Sequence, residues 1–396
     1  MNDDAEFTTP SQELIRTDLQ ALFRGAVRVA LEAVLEDEIR TLVGAGRYQR
    51  LGDRRGHRNG TYLRSLVTTV GGIDVTVPRA RDGSAAGVIG RYQRRASEVD
   101  AAIVESYVAG VSTRKMGKVT RALLGDDVSR STVSRVTRSL DEQVEALRKA
   151  PIAEPITYLF LDGTFLDARW ARSVENVAAL VAYGVGASGH RQLLGITIGP
   201  RESEEGWADL LQQLVGRGLR GVQLVVADGH AGLAAAVRHQ LPEARLQRCV
   251  VHLERNAFAK APRKLWKRLG RELRHLFDAT SLPDAKKRLA TFKAGLGSQL
   301  PESLAVLETG FAAATQFYAF PRAHWLRIRS TNGLERLHGE IKRRIRAVGA
   351  FPDRASALRL VTVVALRATG VWSDRRYLDM SLPSPAPHAK ENKPAV

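Results

Sequence analysis

The sequence predicts an α/β protein with an all-α insertion, preceded by a mainly α region that contains a β-hairpin. Beyond Pro151, short apolar runs rich in β-branched residues alternate with a helical pattern, which is typical of an α/β core. Residues 255–324 are helical and basic in pattern and show no strand signal. This segment is therefore expected to be an insertion in the core.

The charge of the chain predicts a polyanionic partner. Sixty Lys and Arg face 42 Asp and Glu, so the formal net charge is +18. Basic residues also cluster, with ten against two Glu from Arg245 to Leu276 and seven against two from Arg327 to Arg346. A single run of this kind can be a solvated helix face, but several together favour phosphate binding.

Cysteine content and the N-terminal sequence predict a cytoplasmic protein without membrane contact. Cys249 is the one cysteine of the chain, which excludes an internal disulfide and fits a reducing interior. The start, MNDDAEFTTP, lacks the basic flank and apolar core of a signal peptide. No stretch approaches the roughly 20 apolar residues of a membrane span.

The N-terminal region is expected to combine helix, basic loop and hairpin. Apolar residues recur at helical intervals up to Leu42, as one amphipathic helix or two short ones, before Gly44 and Gly46. A two-residue turn near Gly71 and Gly72 fits a hairpin within residues 62–78. The Arg-rich loop between helix and hairpin supplies candidate DNA contacts and a histidine suited to phosphate or solvent: Arg54, Arg55, Arg58 and His57.

A helix pair with helix-turn-helix proportions follows. Ser112–Leu124 and Ser131–Leu140 are the expected helices, separated by Gly125, Asp126 and Asp127. The second would be the reading helix, and an ordinary helical pair is the alternative. It would turn Val133, Val136 and Leu140 inward and Ser131 and Thr132 outward, with candidate DNA contacts at Arg130, Arg135 and Arg138.

Two aspartates are candidate metal ligands. Asp162 ends the apolar run Tyr158–Leu161, and Asp228 ends the run Leu224–Ala227. Carboxylates at adjacent strand ends would suit a pair of Mg²⁺ ions about 3.5 to 4 Å apart, as phosphodiester chemistry uses. Each Asp precedes a Gly, however, so an ordinary Asp-Gly turn is the alternative for either one.

Glu335 is the candidate third carboxylate, and Glu340 on the same helix is its rival. Glu335 lies three residues after Asn332, which is also the spacing of a helix cap with its reciprocal Glu. The helix would turn an apolar stripe inward, made of Leu334, Leu337, Ile341, Ile345 and Val348. Candidate DNA contacts at and beyond its start are Arg329, Lys342, Arg343 and Arg344.

Cys249 and His252 have the spacing of a zinc half-site. A full site would need two further ligands, for which His230, His239 and His275 are candidates. Since no second half-site of comparable spacing exists, packing or active-site support is favoured over zinc. Trp325 and Asn332 are placed in the same supporting class.

Nine phrases carry a resemblance to a known family over nearly the whole chain. The N-terminal half reads RYQR with RNGTY, then TVPRAR, YVAGVSTRKM and SRSTVSRVT. The C-terminal half reads LFLDGTF, GWADLLQQLVGRGL, VVADGHAGL, QRCVVHLERN and HWLRIRSTNGLER. Together these phrases resemble the bacterial insertion-sequence transposases of the Mutator superfamily. One departure is Asp167, where relatives more often have a basic residue.

The resemblance implies a ribonuclease H-like core with an α-helical insertion and an N-terminal region that binds element ends. Asp162, Asp228 and Glu335 match the family's acidic triad, which implies two Mg²⁺ ions, with Mn²⁺ as a substitute. Implied partners are double-stranded DNA, as terminal inverted repeats and target, and a second copy in a homodimer. The implied reaction is hydrolysis at the element ends followed by strand transfer; a catalytically dead DNA-binding regulator and a nuclease on the same core are the alternatives.

The expected organisation has seven segments. They are 1–12, a disordered tail; 13–100, a helical and hairpin region for DNA binding or dimerisation; 101–150, the helix-turn-helix-like segment; 151–254, the first part of the core; 255–324, the insertion; 325–380, the final core helices with Glu335; and 381–396, a disordered tail.

Overall fold

The computed structural model describes residues 12–49, 51–52, 54–81, 83–84, 89, 93–170 and 173–382. The chain divides into two units, Met1–Ser139 and Leu140–Val396. The expected disordered tails, 1–12 and 381–396, lie almost entirely outside the described residues.

The first unit begins with one long helix packed on a small antiparallel sheet. Helix α1 is continuous, and the chain leaves it through Gly44, whose φ of +74° is the left-handed conformation that glycine adopts readily. Leu35 and Ile39 of the helix are buried against Val75 and Val77 of the sheet. The elements are α1 (Gln12–Val43), β1 (Arg58–Thr68), β2 (Gly71–Ala80) and β3 (Gly83–Ser84).

The hairpin between β1 and β2 has the predicted two-residue connection, but in a different place. Thr68 pairs with Gly71, so Thr69 and Val70 form the connection. The expectation of a turn near Gly71 and Gly72 was therefore wrong by two residues. Gly71 starts β2 instead, with a φ of +116° that a side chain would strain.

Three helices complete the first unit: α2 (Ser97–Val108), α3 (Thr113–Leu124) and α4 (Arg130–Val136). Gly125 ends α3 with a φ of +70° and separates the pair as predicted. The second helix begins one residue earlier than predicted, because the Ser129 side chain accepts the Thr132 N–H at 3.2 Å and caps it. A 3-10 turn, Thr137–Leu140, continues it, and Val133 and Leu140 are buried as expected, whereas Val136 is only half-buried.

The second unit is built on a five-stranded mixed sheet with the order β6-β5-β4-β7-β8. Strands β4, β5 and β6 are antiparallel, whereas β7 and β8 run parallel to β4. The helical pattern of residues 204–216 predicts a helix with these bounds, and α6 has them. The elements are α5 (Asp141–Lys149), β4 (Ile156–Trp170), β5 (Ser173–Gly186), β6 (Arg191–Gly199), α6 (Glu204–Gly216), β7 (Leu224–Ala227), α7 (Ala231–Gln240) and β8 (Arg245–Arg248).

Helices cover this sheet on both faces. On one face, Leu159 and Leu161 of β4 pack in a buried cluster with Trp207 of α6 and Leu233 of α7. The alternate side chains of the strands lie on the other face, towards the C-terminal helices. Among them, Phe160 stacks on Tyr183 at 4.4 Å between ring centroids. The sheet is therefore the buried middle layer of the unit.

A helical segment separates β8 from the last core helices, and residues 250–328, all described, contain no strand. It starts earlier than the predicted 255. Four apolar residues of the predicted stripe are buried, but Trp266 is 43% exposed. The elements are α8 (Val250–Ala259), α9 (Trp266–Phe277), α10 (Leu282–Leu296), α11 (Pro301–Ala314), α12 (Trp325–Ile328), α13 (Asn332–Val348) and α14 (Arg354–Thr369).

The two ends of this helical segment meet at its base. The Val250 N–H donates to the Arg329 carbonyl at 2.9 Å. Next to it, the Thr331 N–H donates to the buried Cys249 Sγ at 3.3 Å. These bonds form a narrow neck through which the segment leaves the sheet and returns to α13.

Among the described residues, one span, Arg354–Trp372, is long and apolar enough to cross a membrane. This span runs against the expectation that no stretch of the chain approaches a membrane span. Most of the span is buried inside the protein, since α14 packs between the sheet and helices α5 and α13. Its apolar composition thus serves the core of the second unit.

An ion pair ties α5 to α14. The Arg359 guanidinium donates to both carboxylate oxygens of Asp141, at 2.7 and 2.9 Å, and the Arg359 side chain is 9% exposed. The sequence placed α5 with the helix-turn-helix-like segment, whereas this contact explains why it packs with the second unit.

We expect Asp141→Ala to destabilise the second unit by about 1 to 2 kcal/mol, because it leaves the buried guanidinium of Arg359 without its carboxylate. The measurement is thermal and urea unfolding of the full chain. Glu142→Ala, on the exposed side of the same helix, is the matched control. Equal stability of the two variants would show that the ion pair contributes nothing.

Candidate active site

Asp162 and Asp228 lie on neighbouring parallel strands. The register pairs Tyr158 with Leu224 and Phe160 with Val226. Continued by two residues, this register puts Asp162 of β4 at the level of Asp228, which lies just beyond the end of β7. Asp162 is buried, at 6% exposure, and Asp228 follows the last residue of β7. Two carboxylates therefore meet where the parallel pairing ends.

The prediction that Asp162 ends its strand was wrong. Strand β4 continues to Trp170 because it keeps pairing with β5 after β7 has ended. The Asp-Gly turn is thus excluded at Asp162. A local turn does form at Asp228, because its Oδ1 accepts the His230 N–H at 3.0 Å. This bond fixes the carboxylate beside the strand end.

Glu335 lies in the first turn of α13 and is engaged by cations rather than by a helix cap. Arg255 binds both of its carboxylate oxygens, at 2.5 and 3.0 Å, and His252 Nε2 lies 3.6 Å from Oε1. The cap position is Thr331, with no side-chain capping bond, and Asn332 is the first helical residue. The reciprocal cap considered from the sequence is therefore not formed.

Glu340, the rival third acid, forms only local ion pairs. Its carboxylate accepts from Arg343 at 3.0 Å and from Arg344 at 2.5 Å, one turn further along the helix. These guanidiniums lower the pKa of Glu340. No contact joins it to either aspartate in the described part of the chain, so the geometry favours Glu335.

Two histidines connect Glu335 to Asp162. His338 lies one helical turn after Glu335, and its Nδ1 is 3.4 Å from Asp162 Oδ2. The pKa of His252 is raised to about 9, first by its contact with Cys249 and then by the charges of Asp162 and Glu335. The first turn of α13 therefore lies over the end of the β4–β7 pair.

Glu202 is a fourth carboxylate at this place, which the sequence analysis missed. It lies in the loop between β6 and α6, where a side chain at Gly163 would meet its carboxylate at 3.1 Å. Burial raises the pKa of Glu202, and the charges of Asp228 and Asp162 raise it further. The Trp207 indole N–H donates to its Oε1 at 3.2 Å. The phrase RESEEGW gave no sign of this, because three acids share it.

We call Asp162, Asp228, Glu202 and Glu335 together the carboxylate group. Its chemistry suits a hard divalent cation, since carboxylate oxygens are the ligands that Mg²⁺ prefers. No group of three or more His, Cys, Asp or Glu closes around a metal position within the described residues. Arg255 already binds the carboxylate of Glu335. Asp162 and Asp228, at adjoining strand positions, are the residues that could hold a cation.

Cys249 and His252 support this site from behind. Cys249 is fully buried at the start of α8, and its Sγ accepts the Thr331 N–H at 3.3 Å. Of the other candidate zinc ligands, His239 and His275 are exposed on α7 and α9, and His230 lies beside Asp228. Packing and active-site support stays a prediction for Cys249 and His252.

The predicted DNA contacts of the first unit differ in their surroundings. Arg58 forms an ion pair with Glu36 at 2.8 Å, and Arg54 donates to the Gly56 carbonyl at 2.7 Å. Arg55 is exposed, with its backbone N–H bound to the Val43 carbonyl, and His57 is exposed as well. The residues of the helix pair are exposed and free to meet a ligand: Arg130, Arg135 and Arg138.

The predicted DNA contacts of the second unit also differ in their surroundings. Arg329 donates to the Phe277 carbonyl at 2.9 Å and pairs with Asp278, so it serves the helical segment. Trp325 likewise donates to the Phe320 carbonyl at 2.7 Å. Lys342 and Arg343 are exposed on α13, while Arg344 is half-buried. Asp167 is exposed and accepts from Asn176 at 3.3 Å, outside the carboxylate group.

Comparison with known proteins places these features in one family. The family described as "Transposase, Mutator family" matches residues 4–374. The chain belongs to this family. Asp162, Asp228 and Glu335 of this Mutator-family protein all fall within the matched region.

Several curated relatives match along most of their own length. The transposase for insertion sequence element ISRM5 of Rhizobium meliloti is 39% identical, covering 90% of this chain and 90% of the relative. The transposase for IS1081 of Mycobacterium tuberculosis is 37% identical, covering 91% and 88%. That for IS256 in transposon Tn4001 of Staphylococcus aureus is 33% identical, covering 94% and 98%.

We expect the purified protein to hold no stoichiometric zinc, because Cys249 is already bonded within the core and lacks clustered partners. Elemental analysis of wild-type protein and of Cys249→Ser checks this, with both values expected near zero. One zinc per chain in the wild type, lost in Cys249→Ser, would instead establish a structural metal.

Proposed function

We propose that this Mutator-family protein is a DNA transposase that hydrolyses phosphodiester bonds at the ends of its element and transfers the ends into target DNA. One observation carries the proposal: Asp162 and Asp228 adjoin on parallel strands, and α13 brings Glu335 over them through His252 and His338. The relatives are named as transposases of insertion sequences, which supports DNA as the substrate.

The second unit is proposed to be a ribonuclease H-like catalytic core. Its mixed sheet with helices on both faces, and acids at the carboxyl end of the parallel pair, support this assignment. The helix pair α3 and α4, with its exposed arginines, is proposed to read the terminal inverted repeats. We also propose that the protein forms a homodimer that joins two element ends, and that it acts in the cytoplasm at the nucleoid.

Asp162 and Asp228 would hold two Mg²⁺ ions, or Mn²⁺, with Glu335 as the third ligand residue. Bound there, the ions supply charge for both the attacking and the leaving oxygen of the phosphodiester. Burial of Asp162 and the backbone bond to Asp228 fix the two carboxylates in advance, so little rearrangement is needed when the substrate arrives.

Arg255 has a distinct part in this mechanism. Its bidentate contact holds the Glu335 carboxylate in place and neutralises its charge next to two other acids. If Glu335 were to bind a cation, the Arg255 guanidinium would be available to a DNA phosphate. His252 and His338 keep Glu335 and Asp162 oriented throughout.

We expect Asp162→Asn, Asp228→Asn and Glu335→Gln each to abolish cleavage while DNA affinity stays near normal, because each removes a cation-binding charge without changing the side-chain shape. The assay incubates protein with labelled element-end DNA and Mg²⁺, and anisotropy measures binding. Glu340→Gln is the control on the same helix and should cleave normally.

The same assay separates the alternatives. Binding without nicking by the wild-type protein would favour a DNA-binding regulator, and nicks without strand transfer would favour a nuclease. Full cleavage by any one of the three variants removes that residue from the site.

We expect Glu202→Gln to raise the Mg²⁺ concentration needed for half-maximal cleavage several-fold, since it removes a negative charge beside Asp162 and Asp228. A Mg²⁺ titration of the cleavage rate measures it. Glu205→Gln changes an exposed acid in the first turn of α6 and is the control. Identical titration curves would limit Glu202 to its contact with Trp207.

A further inference from the structure

A cavity of about 350 Å³ in the second unit is lined by cations. Residues around the start of α13 form one wall, and the segment after α14 forms the other. No carboxylate lines it. We call this cavity the arginine pocket; its charged residues are Arg191, Arg327, Arg336, Arg375 and Arg376.

Two of these guanidiniums are held in place by aromatic rings. Arg191 lies over Trp372 at 4.3 Å and over Tyr377 at 4.6 Å, and Arg327 lies over Tyr377 at 5.1 Å. Stacking fixes the plane of a guanidinium and leaves its N–H groups available at the edge. The Arg191 Nε is enclosed and meets no hydrogen-bond acceptor in the described residues.

The pocket arginines lack the directly paired carboxylates of other arginines in the described chain, and Asp379 interacts with Arg376 only through its charge. Arg255, Arg288 and Arg359 each bind a carboxylate at 3.1 Å or less. None of the five pocket arginines has an ion pair within the described residues. Burial lowers the pKa of Arg191, and the neighbouring Arg327 and Arg336 lower it further. An anion from outside would relieve this repulsion.

The pocket also adjoins the carboxylate group. Asn332, Gly333 and Arg336 belong to both the pocket and the first turn of α13, and Glu335 lies between them in sequence. The N-terminus of this long helix, which has no side-chain cap, lies on the same side.

We propose that the arginine pocket binds backbone phosphates of the DNA strand, next to the bond that is cleaved at the carboxylate group. One guanidinium group can bind two oxygens of a phosphate at once. Five guanidinium groups can therefore bind more than one phosphate of a continuous strand. The proposal rests on the proposed function. It assigns the pocket a positioning task, which is to hold the strand in line with the carboxylates.

The test compares Arg375→Gln/Arg376→Gln with a control that loses the same charge, Arg148→Gln/Arg238→Gln. Both pairs are exposed, so folding should be preserved, and the control residues lie on α5 and α7, outside the pocket. All variants carry Glu335→Gln, so that binding is measured without cleavage. Anisotropy with element-end duplex is recorded from low to high salt.

We expect the slope of log affinity against log salt to fall by about 1 per arginine that loses a phosphate contact, for element-end and unrelated duplexes alike. Ethylation interference should place the lost contacts within a few nucleotides of the cleaved bond. A slope equal to that of the control, or lost contacts far from that bond, would overturn the proposal.

A second arm separates DNA from free phosphate. Inorganic phosphate should raise the Tm of the wild type less than element-end DNA does at equal phosphate concentration. Stabilisation by inorganic phosphate that needs Arg375 and Arg376, with unchanged DNA binding, would assign the pocket to a small anion instead. The readout is independent of catalysis, so active Asp162→Asn protein would refute the proposed chemistry without touching the pocket.

Discussion

The parallel pairing of β4 with β7 is the constraint on which the rest of the second unit depends. It puts two carboxylates at one level of one face, where their mutual repulsion has to be offset. The surrounding structure supplies the offset: His338 contacts Asp162, a backbone N–H binds Asp228, and His252 carries a raised pKa. These three neighbours offset the negative charge of the pair, whereas Glu202 adds to it.

The charge of Glu335 is offset in a similar way, by a cation from another helix. Arg255 comes from α8 and Glu335 from α13, and both helices start at the neck formed by Cys249 and Thr331. The cations that now satisfy the carboxylates occupy the electrostatic role that divalent ions would take.

Much of this arrangement was predictable from local patterns. The bounds of α6 and the break at Gly125 were confirmed, because an apolar period of 3.6 and a glycine C-cap are signals contained in the segment itself. The predicted end of β4 was wrong for a physical reason. A strand ends where its pairing ends, and the pairing of residues 163–170 is set by β5, which the run Tyr158–Leu161 does not reveal.

Glu202 and the arginine pocket were beyond sequence reasoning for a related reason. Glu202 is one of three acids in a short loop, and only its approach to Gly163 distinguishes it. The pocket arginines come from four separate places in the chain, from Arg191 to Arg376, and each looks like an ordinary surface cation in its own context. Convergence of distant residues is a property of the fold.

The neck at Cys249–Val250 and Arg329–Thr331 has an evolutionary consequence. Since both ends of the helical segment are fastened at one point, its length does not determine where α13 starts. The segment can therefore differ in length while the geometry of the carboxylate group stays the same. Variation between relatives should accumulate outside the neck, and the neck itself should tolerate little.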